Sequence, residues 1–476
     1  MDKDKHFQRL VDAGKPVGEI IGINSFLVQV RGLQPVSIHS LIIFEDGSQG
    51  FTTRILEDRV LVLRLRTTPL RIGMLAVVQQ ENLTVKVGKD FIGRVVTVTG
   101  EPLDGKGTIA ADADWPIFND APPIYQRELL STQLETGVTL VDTLFPIVRG
   151  QRLALLGDSK SGKSTLATQI AINQRNTDQI VVYVLIAKRR SDVDMLLNRL
   201  SEAGVLDKTI IMVSTIFESL VTSYLAPYAG CALAEYLWQT LGQDVLIIYD
   251  DLTTHAHAYR EISLLSGVSP GRDSYPGDIF HAHSSLLERA GKLAANHKCL
   301  TAIPVVLTEG GDISTYLPTN IMSIADGQWI LDMEIFRSGR RPAIDVGLSV
   351  TRVGGVGQNT RQKAQNAAVF KTLTEFSRAQ EFAHFGGEMS SATAKATALG
   401  QKLNQLFTQA PGETYSLMAQ QLMLDVVLDP VPLNLNLTNL RRSVVEAAAQ
   451  IKSEDDYEEA LASLKIKAAA PAGEPK

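Results

Sequence analysis

Three hydrophobic patterns follow one another along the 476 residues. From about Val17 to Val85, short runs such as Ser25-Phe26-Leu27-Val28-Gln29-Val30 and Arg59-Val60-Leu61-Val62-Leu63 are separated by Gly, Asp and Asn. Closely spaced short strands with turn residues between them predict a small all-β barrel. From there to about Gly355, near-continuous apolar runs at Ile180–Ile186, Thr209–Val213, Val245–Tyr249 and Leu300–Leu307 alternate with helical patterns. A strand apolar at every position suits burial on both faces, so this stretch predicts a doubly wound parallel α/β domain. Beyond Gln358 the chain is Ala-, Gln- and Leu-rich at helical spacing. From Lys452 charges mix in, before an Ala/Pro/Gly tail expected to fray. These shifts divide the chain into a β-barrel over 1–85, an α/β domain over 86–357 and a helical domain over 358–476. No internal repeat is visible.

Composition narrows the class without changing that picture. With 45% hydrophobic and 21% charged residues, the chain matches ordinary globular proteins, and its length allows several domains. A net charge of −6 supplies no basic field, which argues against nucleic acid as the main partner. Cys231 and Cys299 are the only cysteines and lack metal-ligand spacing, so a reducing compartment fits. Met1-Asp2-Lys3-Asp4-Lys5 leads into no apolar signal core, and no run of 18 apolar residues occurs. The expectation is a cytoplasmic protein, or one that docks onto a membrane machine from the cytosolic side.

The chemistry begins in the centre. Gly157-Asp158-Ser159-Lys160-Ser161-Gly162-Lys163-Ser164 fits G-x-x-x-x-G-K-[ST], after an apolar run (Leu153 to Leu156) and before a helical one (Thr165 to Ile172). In that strand-loop-helix context the glycines let backbone N–H groups close around phosphates, Lys163 meets their charge, and the Ser164 hydroxyl can ligate Mg²⁺. Val245-Leu246-Ile247-Ile248-Tyr249-Asp250-Asp251 is an apolar strand ending in acids. Asp250, first after the strand, is the candidate for the Mg²⁺ shell, while Asp251 suits a helix cap. Arg352 follows a strand-like run, Leu348 to Thr351. Such an arginine either forms a surface ion pair or stabilises transferring phosphate across a subunit boundary, and local spacing does not decide. Lys188-Arg189-Arg190 taken alone is a solvated basic turn. His255/His257 and His281/His283 lack the spacing and acidic company of a metal site and read as polar loop or helix residues.

Taken in order, these segments resemble the alpha subunit of F-type ATP synthases, the non-catalytic nucleotide-binding subunit of the rotary head. The resemblance runs from roughly Gly18 to Gln421. It is carried by Gly93-Arg94-Val95-Val96, Asp104-Gly105-Lys106-Gly107, Tyr224 to Cys231, Ala258 to Leu265, Tyr275-Pro276-Gly277-Asp278, Leu286 to Ala290 and Pro318-Thr319-Asn320-Ile321. Phe382-Ala383-His384-Phe385 is similar to a short aromatic segment of the family's helical region. The resemblance implies a β-barrel, a RecA-like α/β phosphate-loop domain and a C-terminal helical domain, with ATP or ADP and Mg²⁺ as ligands. Gly162, Lys163, Ser164 and Thr165 would hold phosphates and Mg²⁺, with Asp250 near the metal. Arg341, Pro342 and Gln409 would lie beside the base, and Arg352 would be presented to the catalytic site of a neighbouring beta subunit. The implied partners are beta subunits alternating with this chain in a hexamer, a gamma shaft and a delta or peripheral-stalk subunit. Nucleic acid is not among them, and membrane contact comes only through the parent complex.

Departures from the family pattern accompany the matches. Related hexameric ATPases that hydrolyse ATP usually carry a Glu after the second core strand to polarise water, and alpha subunits usually a Gln. This chain has Lys188, a cation unsuited to that role. The sequence leaves open whether Lys188 meets a phosphate or a nearby acid. Gly267-Val268-Ser269 replaces the usual Arg-Arg-Pro, and the segment before Val17 is shorter than the usual arm. Two rival readings each require a feature that the chain lacks. A self-sufficient homohexameric ATPase of the secretion or flagellar-export kind would need the missing Glu. A hexameric RNA translocase would need basic and aromatic surfaces, which 6% aromatics and a negative net charge do not supply.

Overall fold

The structure is a computed structural model that describes residues 2–66, 68–384, 391–429 and 435–469. The tail expected to fray, over 470–476, and Phe385 of the aromatic segment lie outside the described residues. By internal contacts the chain forms two compact units. The first comprises Met1–Glu128, Asp178–Leu307 and Ile313–Ala325, the second Leu129–Thr177, Thr308–Asp312 and Asp326–Lys476.

In the first unit, six short strands close a barrel: β1 (Val17–Asn24), β2 (Leu27–Arg31), β3 (Leu41–Phe44), β4 (Gln49–Ile55), β5 (Val60–Arg64) and β6 (Leu75–Gln80). Their order is β1-β2-β5-β4-β3-β6, with Val17 opposite Val77 closing the ring. Closure removes exposed strand edges and buries Ile20, Val28, Val30, Ile42, Phe44, Val60 and Val62 together. A helix over Asp2–Asp12, which the sequence reading did not anticipate, sets Phe7 against Ile43 and Val77. The same unit holds parallel strands paired in the order Val95–Thr97, Thr209–Thr215, Ile180–Lys188, Val245–Asp250 and Cys299–Leu307. Val245 to Asp250 are buried at every position. Each large aliphatic side chain there contributes about 1.5–3 kcal/mol on burial, enough to hold a polar strand end inside.

In the second unit, Ala154–Gly157 runs parallel to Gly327–Leu331, which pairs antiparallel with Val350–Thr351. The C-terminal region is helical: Thr360–His384, Ser391–Phe407, Leu417–Val427, Leu437–Gln450 and Glu454–Ala469. In the last helix Tyr457, Leu461, Leu464 and Ala468 line one buried face at three- and four-residue spacing. Arg361 lies 3.7 Å above the Tyr457 ring, whose hydroxyl donates to Asp425 at 2.7 Å. The barrel, the α/β centre and the helical C-terminal region anticipated from the sequence are all present.

Candidate functional site

The phosphate-type loop lies in the second unit. It leaves the buried strand Ala154–Gly157 and enters the helix Lys163–Asn173. Gly162 precedes the helix at φ +102, a left-handed conformation open to glycine. It also offers no side chain to cap the first helical N–H groups, which leaves them for an anion. Ser159 N donates to Asp158 Oδ1 at 2.7 Å, and Ser161 N to the Asp158 carbonyl at 3.2 Å, folding the loop back on itself. The buried Lys163 ammonium donates to the carbonyl oxygens of Gly157 at 2.8 Å and Asp158 at 2.6 Å. Ser161 is buried, and its hydroxyl has no hydrogen-bond partner. Lys160 and Ser164 are exposed and Thr165 is half-buried.

Arg341, Pro342 and Gln409 also belong to the second unit. Arg341 stacks its guanidinium on Phe336, 3.4 Å from the ring centroid, and donates to the carbonyls of Phe336 and Arg340. Gln409 N donates to the Arg341 carbonyl at 2.8 Å, so the structure brings these two candidates together. The Gln409 side chain is buried and fully engaged. Its Oε1 accepts from Thr139 N at 2.6 Å, and its Nε2 donates to the carbonyls of Gly137 at 3.0 Å and Glu413 at 2.9 Å. Gln169, on the helix that follows the loop, donates to the same Glu413 carbonyl at 2.7 Å. Beside this belt Asp142 accepts from Thr136, Gly137 and Gln420, and burial pushes its carboxyl up to about 7.

Arg352 projects from a tightly fixed turn. Its N–H donates to the Asp326 carbonyl at 3.0 Å, while the Asp326 carboxylate grips Arg152 at 2.7 Å. Thr351 Oγ1 donates to the Pro146 carbonyl at 2.9 Å, and Gly354 N donates to that hydroxyl at 3.0 Å. A Cβ on Gly354 would stand 1.6 Å from the Pro146 carbonyl oxygen, so only glycine fits. The backbone is thus held on both sides, and the Arg352 residue is exposed.

Asp250 and Lys188 belong to the first unit, where the structure resolves the question the sequence left open: Lys188 meets acids. Its ammonium lies 2.6 Å from Asp250 Oδ1 and 3.0 Å from Asp251 Oδ2. The strand Ile180–Lys188 slips register between Leu185 and Lys188, and Ala187 takes φ +48. For alanine that left-handed conformation costs about 1–2 kcal/mol. It bends the chain as a bulge does and re-aims the lysine. Tyr183 donates to Asp250 Oδ2 at 3.3 Å. Asp251 caps the helix Leu252–Leu265 through Oδ1, which accepts from Thr254 N at 2.7 Å, as its expected capping role required. A cis peptide joins Asp250 and Asp251. Burial disfavours the Lys188 ammonium, but Asp250 and then Asp251 outweigh it and raise its pKa above the ordinary lysine value. Burial likewise opposes the Asp251 carboxylate, and Lys188 with the Thr254 hydrogen bonds still holds its pKa low.

The sequence reading also missed a buried histidine pair. His255 Nδ1 and His283 Nε2, from two different helices, stand 3.1 Å apart with both residues fully buried. Tyr224 stacks on His255 at 5.4 Å and Tyr228 meets it edge-on at 5.5 Å. Burial lowers both pKa values, that of His283 to about 4. Within each sequence pair, one histidine alone turns inward. No local signal joins positions 28 apart. Among the described residues no group of three or more metal-ligating side chains converges.

A family model described as the ATP synthase alpha/beta family, nucleotide-binding domain, matches residues 137–351. The chain is 37% identical over 448 residues to ATP synthase subunit alpha of Caldanaerobacter subterraneus subsp. tengcongensis, covering 93% of this chain and 88% of that protein. It is 40% identical over 407 residues to ATP synthase subunit alpha of Dictyoglomus thermophilum, covering 85% and 80%. It is 37% identical over 443 residues to ATP synthase subunit alpha 2 of Legionella pneumophila, covering 89% and 86%.

Proposed function

Because this chain belongs to the ATP synthase alpha/beta family, we propose that it is the non-catalytic, nucleotide-binding alpha-type subunit of a rotary ATP synthase or ATPase. The loop 157–165 takes the phosphates of ATP or ADP. Lys163 exchanges two carbonyl oxygens for phosphate oxygens, and the first-turn N–H groups of its helix complete the cradle. The exposed Ser164 hydroxyl is the residue that would hold Mg²⁺, whose chemistry here is charge neutralisation on the phosphates. Asp250 is the acid expected beside that metal. Arg341, Pro342 and Gln409 border the base. Domain boundaries near residues 85 and 357 belong to the same reading.

The observation that carries the non-catalytic role is Lys188. A water-polarising carboxylate must be able to accept a proton, whereas this position holds a half-buried ammonium between two acids. That favours the alpha-type subunit over a self-sufficient homohexameric ATPase. The chain's contribution to turnover is then Arg352, exposed on its pinned turn for a neighbouring catalytic beta subunit. Alternating beta subunits, a gamma shaft and a peripheral-stalk subunit are the proposed partners. Membrane contact would come through the parent complex; among the described residues no helix is long and apolar enough to cross a membrane. The test is reconstitution with beta and gamma partners. Arg352→Ala is expected to lower the ATPase rate of the assembled complex roughly 10³-fold or more, as loss of a trans-acting arginine does. A near-normal rate removes Arg352 from the mechanism.

A further inference from the structure

A cleft of about 720 Å³ opens within the second unit, and none of the loop residues 157–165 lines it. Its walls come from the turn after the helix Met333–Arg337 and from the helices Thr360–His384 and Ser391–Phe407. Clefts of roughly 300–1,000 Å³ suit a small organic molecule. Ile335, Phe370, Leu373 and Phe376 supply an apolar wall, and Phe370 is 50% exposed there. The charged lining residues are Arg340 and Asp345. Arg340 and Thr408, which line the cleft, precede Arg341 and Gln409, the residues proposed beside the base, yet neither of those two lines it.

The state of Arg340 gives the cleft its chemistry. Its Nη2 donates to the Ile344 carbonyl at 2.5 Å and its Nη1 to Asn404 Oδ1 at 3.5 Å, both neutral acceptors. Its Nε is buried without a partner. Among the described residues no acid forms an ion pair with it. The two nearby acids are used elsewhere. Asp345 Oδ1 accepts from Gly347 N at 2.7 Å and Leu348 N at 3.1 Å, and Asp332 Oδ1 accepts from Glu334 N at 2.7 Å and Ile335 N at 2.8 Å. Burial pulls the Arg340 pKa below the ordinary arginine value, and Asp345 and Asp332 offset this only in part. A half-buried guanidinium held by neutral oxygens, beside an apolar wall, is complementary to an organic anion, because a charged acceptor makes the stronger hydrogen bond. We propose that this cleft is a binding site for a small organic anion, a carboxylate or sulfonate on an aromatic body. The charged group lies on Arg340 and the rings lie against Phe370 and Phe376.

The experiment is fluorescence titration of the full chain with anilinonaphthalene sulfonate, and with phenylnaphthylamine, which has the same rings and no sulfonate. The unaltered chain is expected to show one saturable sulfonate site. Arg340→Gln should weaken sulfonate binding roughly tenfold or more, as loss of a charge-assisted contact does, and Arg340→Lys should restore most of it. Phenylnaphthylamine should change by no more than about twofold in Arg340→Gln, since its binding is apolar. Thr374→Trp, which fills the cleft, should weaken both probes. Sulfonate binding should persist in saturating ATP. Absence of a saturable sulfonate site overturns the proposal, and so does an affinity that Thr374→Trp leaves unchanged, which remains decisive where Arg340→Gln fails to fold. Equal loss of both probes in Arg340→Gln would make the arginine a packing residue and overturn the choice of an anion. Displacement of the sulfonate by ATP would make the cleft part of the base pocket and overturn it as a separate site.

Discussion

Two lysines, a buried one in the second unit and a half-buried one in the first, show how a partner decides what a charge is for. Lys163 is held by two neutral carbonyl oxygens, which it can exchange for phosphate because a carbonyl binds an ammonium more weakly than an anion does. Lys188 is held by two carboxylates, and its charge is consumed within the protein. The same side chain is a ligand-binding group in one unit and a structural counter-ion in the other. A count of basic residues would treat them alike.

The comparison breaks most visibly at Lys163. Lys163→Ala removes charge-assisted hydrogen bonds worth about 1.5–3 kcal/mol each, so nucleotide affinity should fall more than a hundredfold in a fluorescent-ATP titration. Retained affinity would mean that the loop is not the phosphate cradle.

At Lys188 the larger effect should be on folding. Lys188→Met leaves the buried Asp250 and the half-buried Asp251 without their cation, a loss of about 3–5 kcal/mol in urea denaturation. Much of that should be recovered when Asp250→Asn and Asp251→Asn are added, because the uncompensated charge is then gone. A stable single variant would show that the pair contributes little.

The third contrast concerns acid. His255 and His283 have pKa values below the ordinary 6.5, so their stabilisation is present above that value and is lost as pH falls towards about 4. Asp142 has the opposite sign. Its carboxyl is raised to about 7, so its folded form keeps a proton that the unfolded chain releases, and its contribution grows as pH falls from about 7 towards 3.8. Amide exchange between about pH 7.5 and 5 should therefore speed up in the helices Leu252–Leu265 and Ile279–Leu287 relative to the segment around Thr139–Leu144. His255→Gln should flatten the first response and Asp142→Asn the second. These are the smallest of the three effects, and equal acceleration in both regions would contradict the assignment.

What could be anticipated from sequence was what short stretches of chain determine. Fully apolar runs announced the parallel strands, and eight consecutive residues announced the loop, because strand, turn and helix there are neighbours in the chain. The cap at Asp251 was legible for the same reason. The grip on Lys188 was not, since it needs a bend at Ala187 and acids some 60 residues further on. Gln409 reaches main-chain groups about 270 residues upstream, and His255 finds His283 across two helices. Such meetings depend on the folded topology, and nothing in local spacing encodes them. The helix Asp2–Asp12 was missed because its short polar sequence offers only Phe7, Leu10 and Val11 to the barrel.

The central claim is that this chain binds nucleotide without turning it over by itself. Its most direct test is ATP hydrolysis by the purified chain, measured alone and after assembly with beta and gamma partners. The account predicts no turnover alone, and activity in the assembly that disappears with Arg352→Ala. Robust hydrolysis by the chain alone would contradict it and make a homohexameric ATPase the better description.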